Sequence, residues 1–146
     1  MTRARASYNE VGQLGVNDTN NRGNDTGQMG DALPFVSLGG GLNATALAAG
    51  FRHVCAIVSG GMVACWGCVL TSVGVSRPPQ SLNVYGELGR GNSQMFWATP
   101  ALVNMGAGQE AVAIAAGYQH VCAVLSGGLK CWGCDSTFAH QSFNTK

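Results

Sequence analysis

Strand-forming residues gather on either side of a glycine pair at two places in the chain. "HVCAIV" (53–58) and "MVACWG" (62–67) flank Ser59-Gly60-Gly61, while "HVCAVL" (120–125) and "LKCWG" (129–133) flank Ser126-Gly127-Gly128. β-Branched and aromatic side chains suit a pleated surface, and glycine supplies the positive φ that a tight turn requires. Each place therefore predicts a β-hairpin. "FVSL" (35–38) and "ALVNM" (101–105) read as further short strands. "NATALAAG" (43–50) fits a helical spacing, but glycines and β-branched neighbours argue against a helix there. The pattern predicts an all-β chain with three or four strands per unit.

The pattern is duplicated. "ALAAGFRHVCAIVSGGMVACWGC" (46–68) aligns with "AIAAGYQHVCAVLSGGLKCWGC" (113–134), with one extra residue in the first copy between Gly61 and Cys65. Upstream, "NEVGQLG" (9–15) corresponds to "NVYGELG" (83–89), and each copy then carries a polar stretch with a proline, Pro34 or Pro100. A recurring unit of this length points to a repeat architecture in which neighbouring units bury each other's faces. The division that results is an N-terminal extension (1–8), a first repeat (9–68), an insertion (69–82), a second repeat (83–134) and an irregular tail (135–146). Removing 69–82 would join Cys68 directly to the next Asn-x-x-Gly, and its Arg-Pro-Pro core cannot continue a strand.

Composition narrows the class. Charged residues make up 10% of the 146 residues, against a usual ~25%. The 22 glycines fit short strands and tight turns. A net charge of +1 without a basic stripe argues against nucleic acid as a partner. No run of about 18 apolar residues predicts a membrane span. The N-terminus lacks the apolar run of a secretory signal, which points to the cytoplasm; six cysteines, if paired, point to an extracellular setting.

These motifs resemble the regulator-of-chromosome-condensation repeat, the unit of a β-propeller. The resemblance rests on A-A-G-x-x-H-x-C-A (48–56 and 115–123), C-W-G (65–67 and 131–133) and N-x-x-G-Q-L-G (9–15, with Glu87 replacing Gln at 83–89). It implies four-stranded blades, each drawing strands from neighbouring repeats, in a propeller of about seven blades. This chain would supply about two of them. Gly50, His53, Trp66, Gly117, His120 and Trp132 are then structural repeat positions.

Cysteine chemistry has three readings. A redox dithiol at Cys65–Cys68 or Cys131–Cys134 would need a helix N-terminus to lower the thiol pKa, and no helical pattern follows either pair. A zinc site built from the two C-x-x-C pairs would need them closer in sequence. The structural reading remains: Cys65 and Cys131 close a repeat, and Cys68 and Cys134 lie just beyond it. A three-residue turn at 59–61 sets Cys55 opposite Cys65, and a two-residue turn at 126–127 sets Cys122 opposite Cys131. Directly opposed strand residues lie within ~4.5–5.5 Å, close enough for a disulfide. Buried free thiols are the alternative.

His53 and His120 precede a cysteine by two residues, on the same strand face, but no acidic partner recurs with them, so they are expected to be structural. Asp/Asn-rich residues 17–31 lack the glutamate of a calcium loop and place Arg22 at a ligand position. Sequons stand at Asn17, Asn24 and Asn43. Neither a cofactor nor a catalytic residue is expected. The expected function is a non-catalytic scaffold that binds a protein partner through loops 17–31 and 92–97, with Trp97 as a possible anchor. The alternative, carried by one branch of the resembled family, is guanine-nucleotide exchange on a Ran-type small GTPase with chromatin association.

Overall fold

The computed structural model describes residues 9, 12–67, 86, 88–89 and 97–133. The extension 1–8, the insertion 69–82, Cys68, Cys134, residues 92–96 and the tail 135–146 lie outside the described residues. Seven strands follow one another: β1 (Ala44–Ala49), β2 (His53–Val58), β3 (Met62–Gly67), β4 (Trp97–Val103), β5 (Ala111–Ala116), β6 (His120–Leu125) and β7 (Gly128–Gly133). The described residues contain no α-helix, and no helix among them is long and apolar enough to cross a membrane.

Both hairpins form where the glycine pairs predict. Gly60 adopts φ 78° in the turn between β2 and β3, a conformation that costs any residue with a Cβ. The different turn lengths absorb the extra residue of the first copy. Val58 pairs with Met62 and Leu125 with Gly128, yet Cys55 still faces Cys65 and Cys122 still faces Cys131.

The strands form two antiparallel sheets, ordered β1-β2-β3-β4 and β5-β6-β7. The fourth strand of the first sheet comes from the second repeat: β4 pairs with β3 through Val63–Val103, Ala64–Leu102 and Cys65–Ala101. The sheets pack face to face. Cys55, Ile57, Val63 and Val103 of the first sheet meet Val121 and Ala123 of the second in one apolar layer. A second, smaller layer lies on the opposite face of the first sheet, where Val36, Leu38 and Leu42 cover Ala56, Val58 and Trp66. Twisted sheets stacked in this way, with strands shared between consecutive repeats, are adjoining propeller blades, so the chain is a partial β-propeller.

Two expectations about strands change. Residues 35–38 join no sheet, because no neighbouring strand stands beside them among the described residues. Trp97 is the first residue of β4, paired with Gly67, and not a loop residue.

Candidate partner-binding surface

Each repeat motif has a physical task, and together they present one polar loop. The leading asparagine of N-x-x-G-Q-L-G organises that loop. Asn9 is fully buried. Its Nδ2 donates to the carbonyls of Asp18 (3.1 Å) and Asn20 (2.9 Å). Its Oδ1 accepts from the Leu14 amide at 2.9 Å, and its own amide donates to Asn21 Oδ1 at 2.8 Å. A short amide side chain with two donors and an acceptor satisfies three backbone positions at once, and the Asn9 backbone amide adds a fourth bond.

Beyond Asn9 the loop is tied by charge. Arg22 grips Asp18 with both guanidinium nitrogens, at 2.7 and 2.6 Å. The Arg22 side chain, helped by the Asn20 amide, pushes the Asp18 carboxyl down to about 2. Both carboxylate oxygens thus accept from arginine. Gln28 bridges the far side, accepting from the Asn24 and Asp25 amides at 3.1 and 3.2 Å. Asn20, Asn21, Arg22, Gly27 and Gln28 line a shallow hollow of about 240 Å³. Amide and guanidinium groups around it suit recognition of polar backbone or carboxylate groups on a protein.

The glycines of the motif explain its tryptophan. Gly15 is at φ 73°, and a Cβ there would lie 2.5 Å from Trp66 Nε1. The indole therefore lies flat on the glycine, and Nε1 donates to the Gln13 carbonyl at 3.1 Å. Gly89 and Trp132 repeat the approach, with Nε1 2.9 Å from the position of a Cβ. Trp66 is 3% exposed. Trp132 is only half-buried, which departs from the equal core roles its recurrence suggests.

A-A-G-x-x-H is likewise one contact. A Cβ on Gly50 would stand 2.2 Å from His53 Cε1, and one on Gly117 the same distance from His120 Cε1. The imidazole packs on the glycine's bare Cα, while the Gly50 amide donates to the His53 carbonyl at 2.9 Å. His53 is 1% exposed, and neither ring nitrogen has a partner among the described residues. Burial, reinforced by His120 nearby, pushes it down to about 4, so it is neutral at physiological pH. His120 is exposed. Phe51 stacks on Tyr118 with ring centroids 4.4 Å apart, so the two corners meet through equivalent residues.

The sulfurs of Cys55 and Cys65 are at bonding distance, as are those of Cys122 and Cys131, with Cα separations of 4.1 and 4.0 Å. Among the described residues no three His, Cys, Asp or Glu side chains converge as metal ligands. Sequence reasoning missed the Asn9 network and the Asp18–Arg22 clamp. The recurrence of the asparagine at 9 and 83 was the available signal for the first.

Comparison with known proteins agrees with this architecture. Residues 82–124 and 111–138 match models of the regulator of chromosome condensation (RCC1) repeat. Residues 82–138 therefore carry sequence of the RCC1-repeat type. No curated protein sequence matches it significantly. Among solved structures, it is similar to yeast RCC1 (Prp20) as seen bound to Kap60, with 20% identity and a TM-score of 0.51, covering 86% of this chain and 26% of that one. It is also similar to Prp20p from Saccharomyces cerevisiae, described with its binding to Gsp1p and histones, at 24% identity and a TM-score of 0.46 over 64% of this chain and 19% of that one. The chain thus spans about a quarter or less of these relatives.

Proposed function

We propose that the chain is a non-catalytic scaffold whose ordered polar loop, residues 17–31, binds a protein partner. The observation that carries this reading is the Asn9 network. A buried side chain is spent on holding an exposed loop in one shape, which lowers the entropy lost when a partner binds. The described histidines and cysteines, meanwhile, are engaged in packing and in pairing. Trp97, at the start of β4, is a second contact in this reading.

The test is affinity cross-linking with mass spectrometry in a native extract, comparing the parent chain with Arg22→Glu and Trp97→Ala. One protein should be enriched by the parent and lost with either variant while the far-ultraviolet spectrum is unchanged. Equal enrichment by all three would defeat the loop assignment. The match of residues 82–138 to the RCC1 repeat favours a second reading, guanine-nucleotide exchange on a Ran-type GTPase. Accelerated release of a fluorescent nucleotide from such a GTPase would establish exchange in place of passive binding.

A further inference from the structure

Three Asn-x-Thr sequons fall within the described residues, at Asn17, Asn24 and Asn43, and none of these asparagines lines the hollow of the partner loop. Sequon chemistry needs an asparagine side-chain nitrogen to carry the sugar and a hydroxyl two residues on. The three sites differ in what those groups already do. At Asn43 the Thr45 hydroxyl donates to the Ile57 carbonyl at 3.3 Å, within the β1–β2 pairing. The Asn43 backbone is tied to Ser59, its amide donating to the Ser59 hydroxyl and its carbonyl accepting from the Ser59 amide. Asn17 is fixed at φ 63°, with its amide donating to the Ala98 carbonyl at 3.0 Å. Asp18, the middle residue of that sequon, is held by Arg22.

Asn24 is different. Asn24, Asp25 and Thr26 are all exposed, on a turn bounded by Gly23 at φ 85° and Gly27 at φ 82°. Gln28 Oε1 holds this turn through the backbone amides of Asn24 and Asp25, so the Asn24 side chain takes no part in it. A Cβ on Gly27 would meet nothing within 4 Å, so the space beside the turn is open. A second observation, independent of the loop, says where the chain matures. Strand register sets Cys55 opposite Cys65 and Cys122 opposite Cys131, and both pairs are joined, the first of them fully buried. Such bridges persist in oxidising compartments, and the secretory lumen is the one where sequons are modified.

We propose that the chain matures in the secretory lumen and carries an N-linked glycan on Asn24. The donor is an oligosaccharide joined to a lipid pyrophosphate. Asn24 Nδ2 bonds to the anomeric carbon of the reducing-end sugar as the bond from that carbon to the pyrophosphate oxygen breaks. Nδ2 gives up one proton, the lipid pyrophosphate leaves, and no electron changes hands. The sugar then projects from the turn into open space, which leaves the Asn9 network and the Asp18–Arg22 clamp in place. The inference does not rest on the partner reading: the glycan is read by mass and the partner by cross-linking.

Two samples of the full chain test it. One is the protein isolated from its own cells; the other is directed into the secretory route of cultured eukaryotic cells by an added leader. Each is digested with peptide-N-glycosidase in heavy-oxygen water, which leaves a labelled aspartate wherever a glycan stood. A control without the glycosidase removes spontaneous deamidation. Peptide mapping should find the label at position 24 in both samples. In the directed sample, Asn24→Gln and Thr26→Ala should each abolish the glycosidase-sensitive mass, while Thr26→Ser and Asn43→Gln should retain it. An unlabelled position 24 in the protein from its own cells overturns the proposal. So does a glycan that is lost with Asn17→Gln or Asn43→Gln and kept with Asn24→Gln. Should a variant fail to fold, the labelled position in the parent chain decides by itself.

Discussion

The indole nitrogen of Trp66 donates to the carbonyl of Gln13 at 3.1 Å, across 53 residues of chain, with the ring resting on Gly15. This one contact joins the start of a repeat to its end. It explains why the repeat carries glycine at one terminus and tryptophan at the other: only a residue without Cβ admits the ring.

Trp66→Ala should destabilise the chain by about 3–5 kcal/mol, as expected for a buried aromatic. Trp66→Phe keeps most of the packing and loses the hydrogen bond, at about 1 kcal/mol beyond the repacking. Half-buried Trp132 should tolerate alanine better. Urea unfolding of the three variants checks the order, and equal losses at 66 and 132 would contradict the difference in burial.

Gly50 has no room for a methyl group, since the added carbon would meet both the His53 ring and the Gly117 carbonyl, the latter at 2.7 Å. Gly50→Ala should therefore cost several times the ~1 kcal/mol expected of Gly60→Ala, where the added carbon meets open space and only the positive φ opposes it. Thermal melts of the two variants test the ratio.

Acid should unfold the protein through His53. The unfolded imidazole titrates near 6.5 and the buried one at about 4, so between these values the unfolded chain binds the extra proton. The stability contributed by the neutral ring is fully present above pH 6.5 and is lost as pH falls toward 4. The change is about 3 kcal/mol by linkage. His53→Phe should flatten this part of a stability–pH profile measured by urea titration; an unchanged slope would assign the acid sensitivity elsewhere.

The disulfides should differ in accessibility. Cys55 and Cys65 are fully buried between blades, and Cys131 is exposed. Brief treatment with a water-soluble reductant, followed by alkylation and peptide mapping, should label Cys122 and Cys131 first. Loss of either bridge, closing 10 or 9 residues, should cost about 2–3 kcal/mol in the chain-entropy account.

Hairpins, turns and cysteine registers were legible in the sequence because all three are local. Strand alternation and a glycine pair set which residues oppose each other within about a dozen positions, so Cys55–Cys65 follows from counting outward from the turn. The functional loop was legible as a polar segment, but not as an ordered one. Its order depends on Asn9 reaching carbonyls at 18 and 20, a choice among many available acceptors that side-chain packing makes. Burial was least legible. His53 and His120 stand in nearly the same letters, yet one is buried and neutral and the other faces solvent, because among the described residues only the first has a blade packed over it. Residues 35–38 carry strand-forming letters and join no sheet among the described residues for the same reason. A strand's ladder bonds and a face's burial are supplied by its neighbour, and tertiary structure alone decides whether that neighbour is there.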